Sequence, residues 1–108
     1  MTWAISFYSS KVEQVTLALP PGILASFLRI TELIEEFGPD FGRPQTAPLG
    51  AGLFEIRAKD REGISRSVFS TVKGREIVIL LTAIKKGNKI PKRQMDTARK
   101  RMKEVKDG

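Results

Sequence analysis

The chain has 108 residues, enough for one hydrophobic core and too few for two, so residues 1–108 are expected to form a single domain. With 41% hydrophobic and 29% charged residues it has a soluble globular composition, and with neither cysteine nor histidine it excludes disulfides, Ser-His-Asp triads, Cys-His pairs and ordinary zinc sites. The net charge of +7 is local: residues 1–84 carry nine basic and nine acidic side chains, residues 85–108 ten and three.

Met1 to Ile5 has neither the basic start nor the apolar run of a signal peptide. No apolar stretch approaches the roughly 20 residues that span a bilayer, so a cytoplasmic protein is expected. Trp3, Ile5 and Phe7 alternate with small residues, the period of a short strand with one buried face. Ser10-Lys11-Val12-Glu13 matches a capping box with Ser10 as the cap, and Val12, Val15 and Leu19 continue at helical spacing until Pro20-Pro21. A second helix follows Gly22, with Ile23, Leu24, Phe27, Leu28, Ile34 and Phe37 on its apolar face, and Gly38-Pro39 ends it. Residues 39–52, rich in Gly and Pro, read as a long irregular connection.

From Leu53 the pattern alternates, with Phe54, Ile56 and Ala58 on one face and Glu55, Arg57 and Lys59 on the other, as in a half-buried strand. Asp60 to Gly63 supplies a turn, Ser65 to Val72 another strand, and Lys73-Gly74 a second turn. Ile77 to Leu81 is continuously apolar, as expected of the central strand of a sheet covered on both faces. Pro91 fits the first turn of a last helix, whose narrow apolar stripe is Met95, Ala98, Met102 and Val105. The order strand, helix, helix, strand, strand, strand, helix implies an α+β fold. Two N-terminal helices pack on one face of a small, mostly antiparallel sheet, a basic helix ends the chain, and the opposite face is left free for a ligand.

The acids Glu35-Glu36, Asp60 and Glu62 are scattered at helix or turn edges and read as solvated charge, not as a catalytic pair. No glycine-rich loop is followed by Lys-Ser or Lys-Thr, so a nucleotide triphosphatase is not expected. What remains is a set of cations. Arg57 lies on the polar face of its strand, Arg66 near the start of the next, Lys85-Lys86 at the end of the apolar strand and Lys89 in the loop after it. If these strands are antiparallel neighbours, the cations converge. Such a cluster clamps a phosphodiester and offsets the charge that develops as a 2′-hydroxyl attacks it in line. The same side chains also serve as solubilising groups that blunt edge strands. Trp3, Phe7, Phe27 and Phe37 read as core, and the basic last helix suits RNA, an acidic partner or plain solubility.

Four stretches in register, Pro48 to Arg57, Ser65 to Phe69, Leu81 to Pro91 and Ala98 to Met102, resemble the RelE/ParE superfamily of bacterial toxins, in particular its phage-derived, HigB-like branch. The resemblance implies a RelE-like fold and the toxin of a type II toxin-antitoxin system. It implies a ribosome-dependent, metal-independent endoribonuclease that cuts messenger RNA by 2′-hydroxyl attack and uses no cofactor. Its partners would be mRNA, the ribosome and a cognate antitoxin with a helix-turn-helix domain, with no membrane involved. On that analogy Arg57 and Arg66 hold the phosphate, Lys85 and Lys86 stabilise charge or move protons, and Lys89 contacts the RNA backbone; Lys59, Arg61, Lys92 and Arg93 are further candidates for RNA contact by their charge. A lysine acts as the base only where cationic neighbours or desolvation lower its pKa. The chain departs from the family in having no histidine, no tyrosine after Tyr8, and Ile90 in place of the usual threonine before the last helix's proline. The superfamily also includes inhibitors of DNA gyrase, so a non-nucleolytic, protein-binding toxin is the alternative reading.

Overall fold

The computed structural model describes residues 2–39, 42, 45–85 and 89–107. Its elements in chain order are β1 (Ala4–Phe7), α1 (Ser10–Leu17), α2 (Pro21–Phe37), β2 (Thr46–Gly50), β3 (Leu53–Asp60), β4 (Gly63–Val72), β5 (Glu76–Ile84) and α3 (Lys92–Asp107). The strands form one sheet in the order β1-β5-β4-β3-β2, with β1 parallel to β5 and the other pairs antiparallel. This is the expected α+β architecture with one strand added. Residues 39–52 are not irregular throughout, because Thr46–Gly50 pairs with β3 from Thr46↔Ile56 to Gly50↔Leu53. Pro48 obscures that strand in the sequence, and it is tolerated because β2 lies at the sheet edge. The middle strand is β4, not the apolar β5.

The helices pack by narrower stripes than their composition suggests. Ser9, not Ser10, caps α1: it is extended (φ −154°, ψ 165°), and its Oγ accepts from Val12 N at 3.2 Å. Val12 and Thr16 are the buried positions of α1, while Val15 is 41% exposed. Thr16 Oγ1 bonds the Val12 carbonyl (2.9 Å) and Thr82 Oγ1 (2.8 Å), and Thr82 bonds Ser67 Oγ (2.7 Å), so a row of hydroxyls ties α1 to β5 and β4. In α2 the buried residues are Ile23, Phe27, Ile30 and Ile34, whereas Leu28 and Phe37, expected to be buried, are 45% and 63% exposed. The helix meets a single layer, so only one row at i, i+4, i+7 and i+11 reaches the sheet.

Two contacts fix α2 against β3. A Cβ at Gly22 would overlap the Asp60 carboxylate, so the end of β3 brings negative charge to the positive end of α2. One turn along, Ser26 Oγ accepts from Lys59 N at 3.3 Å. The helix then stops at Gly38, where φ is 89° and a Cβ would come within 3.0 Å of Trp3 Nε1, so both backbone and packing call for glycine there.

The second face of the sheet is not free, as the sequence pattern implied; α3 lies across it. Met95, Ala98, Met102 and Val105 pack on Leu53, Val68, Val78, Leu80 and Leu81, while α1 and α2 cover Ile56, Ala58, Phe69, Ile77 and Ile79 on the other side. Burial on both sides explains the apolar run of β5. A bulge in the β4–β5 pairing, between Val68↔Leu81 and Phe69↔Ile79, turns Leu80 and Leu81 toward α3 together. Arg101 Nη1 donates to the Leu80 carbonyl at that bulge (2.6 Å), and its guanidinium lies 4.8 Å from the centre of the Tyr8 ring. Tyr8 in turn donates to Glu104 Oε2 at 2.5 Å, and this hydrogen bond is the main reason its phenol is held above the ordinary pKa of 10.0. Replacing Arg101 with Met keeps the apolar stem but leaves the carbonyl without its donor. That substitution is expected to cost about 1–3 kcal/mol, read as a lower midpoint in thermal denaturation.

No helix among the described residues is long and apolar enough to cross a membrane.

Candidate functional site

Helix α3 does not cover the whole sheet. Arg57 and Arg66 are Cα partners across β3 and β4, on the face that α3 occupies but beyond its first turn. On β5, Ala83 is opposite Arg66. The Lys85 N–H bonds to the Ile64 carbonyl at 2.7 Å, which extends this register and places Lys85 on the same face as Ala83. Lys59, opposite Ile64 on β3, completes the row.

Three adjoining hollows connect these side chains. Arg66, Lys85 and Lys89 line a cleft of about 480 Å³ together with Pro91 and Gln94 at the start of α3. Arg57, Arg66 and Lys89 border the second, with Glu55 and Met95. Arg57, Lys59 and Lys85 border the third, with Ser26 and Gln45. The Arg66 side chain is 6% exposed and the Arg57 side chain 35%, so one guanidinium is held within the site and the other reaches its surface.

Between them lies Glu55, 2% exposed, with Oε1 2.6 Å from Arg57 Nε and Oε2 3.1 Å from Arg66 Nε. Two cations directly opposed across an antiparallel pair repel, and the diagonal carboxylate relieves that repulsion. Sequence reasoning placed Glu55 on the polar face of β3 but assigned it no role. The available signal was its spacing of two from Arg57, which puts both on one side of a strand.

The structure thus brings together Arg57, Arg66, Lys85, Lys89 and Lys59. It does not bring the remaining candidates to them. Arg61 is exposed in the β3–β4 turn and lines none of these hollows. Lys92 and Arg93 line a separate hollow on α3 with Asp96 and Lys100, where Lys92 pairs with Asp96 at 3.2 Å. Lys86 lies outside the described residues.

The arrangement is suited to an anion with several oxygens. Two guanidiniums offer planar pairs of N–H donors, and the lysines add point charges from neighbouring strands and the following loop. Residues 15–103 match the model of a family described as phage derived protein Gp49-like (DUF891). The chain belongs to that family. The Gp49-like chain also has the fold of RelE toxins. It is similar to a mutant of the E. coli toxin RelE solved in the free state, with a TM-score of 0.67 and 12% identity over 94% of this chain and 99% of that one. It is likewise similar to a chain of the archaeal RelE–RelB complex from Pyrococcus horikoshii, with a TM-score of 0.57 and 23% identity over 78% of this chain and 96% of that one. No curated protein sequence matches. Family and fold together put the Gp49-like chain in the RelE/ParE superfamily.

Proposed function

We propose that this Gp49-like protein is the toxin of a type II toxin-antitoxin system of the HigB-like kind, and that it cleaves messenger RNA on the ribosome. The observation that supports this reading is the meeting of Arg57, Arg66, Lys85 and Lys89 on adjoining hollows beside the start of α3, in a chain with a RelE fold. In the proposed reaction the 2′-oxygen of one nucleotide attacks the adjacent phosphorus in line, and the bond from phosphorus to the 5′-oxygen breaks. The 2′-hydroxyl loses its proton and the 5′-oxygen gains one, which yields a 2′,3′-cyclic phosphate and a 5′-hydroxyl end.

Arg57 and Arg66 grip the non-bridging oxygens and offset the charge that grows on them. Lys85 and Lys86 would supply a proton to the departing oxygen or neutralise it. Lys59 and Lys89 hold the strand on either side, and Arg61, Lys92 and Arg93 contact RNA further from the reacting phosphate. This chemistry calls for no metal or cofactor. The Pyrococcus neighbour was solved as a RelE–RelB complex, and by analogy a cognate antitoxin with a helix-turn-helix domain would neutralise this chain in the cytoplasm.

Brief induction in a bacterial host, followed by primer extension on total mRNA, tests the reading. Discrete cuts within translated frames, with 5′-hydroxyl ends, are expected together with growth arrest. Growth arrest without cuts would instead favour the non-nucleolytic, gyrase-type alternative.

A further inference from the structure

We infer that Glu55 is a positioning residue for the cleavage step: its carboxylate fixes the direction of the Arg57 guanidinium by a hydrogen bond and holds the Arg66 guanidinium beside it by charge, the pairing that the in-line transition state needs. The inference rests on the ribonuclease reading and names a residue that reading does not use. Arg57 and Arg66 oppose each other directly, and Glu55 is the acid bridging them, one oxygen to each Nε. An arginine held through Nε by a carboxylate keeps its planar group in a fixed direction, and among the described residues no partner engages the terminal nitrogens of Arg57.

Stability alone gives a poor account of this carboxylate. A buried ion pair is on average no more stabilising than apolar residues of the same volume. Moreover, Oε2 lies within ion-pair range of Arg66 Nε but outside hydrogen-bond geometry, so a buried carboxylate oxygen is left without a hydrogen bond among the described residues. Such an arrangement is costly unless it serves a site. Orientation is what it provides, since displacing a reacting group by about 1 Å costs on the order of 100-fold in rate.

The test is Glu55→Gln, which keeps the shape and removes the charge. Single-turnover cleavage of mRNA on programmed ribosomes is expected to slow by about 100-fold. Affinity for the same complex carrying a 2′-deoxy, uncleavable nucleotide is expected to stay the same or tighten, because the site gains net positive charge. Loss of the buried charge pair lowers the melting temperature either way; a merely structural role would lower rate and affinity together, and that result, or an unchanged cleavage rate, would overturn the proposal. The Arg57 and Arg66 Nε–Hε resonances give a second measure that needs no activity. In Glu55→Gln both should move; movement of one alone or of neither removes the bridge on which the inference depends. If the wild-type protein cuts no RNA, the ribonuclease reading fails by itself, and the resonances still decide whether the Glu55 carboxylate engages both arginines.

Discussion

Replacing Arg66 with alanine is expected to reduce mRNA cleavage by about 100- to 1,000-fold, the loss typical of removing one preorganised donor from a developing oxyanion. Arg66 is the more buried of the two opposed arginines and borders both the cleft with Lys85 and the hollow with Arg57. Its charge therefore acts away from bulk water, where it is least screened. Alanine also leaves Glu55 with one partner fewer, and breaking a buried pair costs about 3–5 kcal/mol of stability. Arg66→Lys separates the two effects, because it keeps the charge and loses the planar fork. Measured as single-turnover rates on programmed ribosomes, Arg66→Lys should still fall by at least about 10-fold while its melting temperature stays near that of the wild type. A wild-type rate in Arg66→Ala would remove this side chain from the reaction.

The largest effect on the fold is expected at Phe69. It is fully buried on the middle strand β4, packs among the side chains under α1 and α2, and stacks on Phe54 with ring centroids 5.4 Å apart and planes 15° apart. Phe69→Ala removes a fully buried ring from that layer, at a cost of about 3–5 kcal/mol. For a chain of this size the melting midpoint should drop on the order of 15 °C or more. Phe54→Ala, at a partly buried position on the rim of the same cluster, should cost distinctly less. Equal losses at the two positions would contradict the difference in burial between the two rings.

Elements carrying a strong local pattern could be read directly. The alternation from Leu53 to Lys59 gave β3, the apolar run at Ile77 gave β5, and the stripe Met95, Ala98, Met102 and Val105 is the one that packs on the sheet. The elements that escaped depend on contacts made far along the chain. Strand β2 is short, carries Pro48 and exists through its pairing with β3. Likewise, the inward position of Thr16 depends on Thr82, a residue 66 positions away. That α3 crosses the second face could not be read from grouping helices before strands, because its stripe gives a buried side without naming the surface that buries it.

The site was legible to a similar degree. Spacing placed Arg57 and Arg66 at one end of adjacent strands, and antiparallel pairing brought them face to face. Glu55 went unremarked because an acid on the polar side of a strand ordinarily meets water, and only the three-dimensional approach of two arginines makes its burial tolerable. Conversely, Arg61, Lys92 and Arg93 were grouped with the others by charge alone, which does not separate a turn or the outer side of a helix from a cleft.

The direct opposition of Arg57 and Arg66 also bears on how the chain avoids folding errors. Side chains on a strand alternate sides, so slipping either strand by one position would drive a guanidinium into the layer filled by Ile56 and Phe69. Misaligned hairpins are thereby penalised by the same charges that would meet RNA, and selection for a working cleft would at the same time select for a correctly assembled sheet.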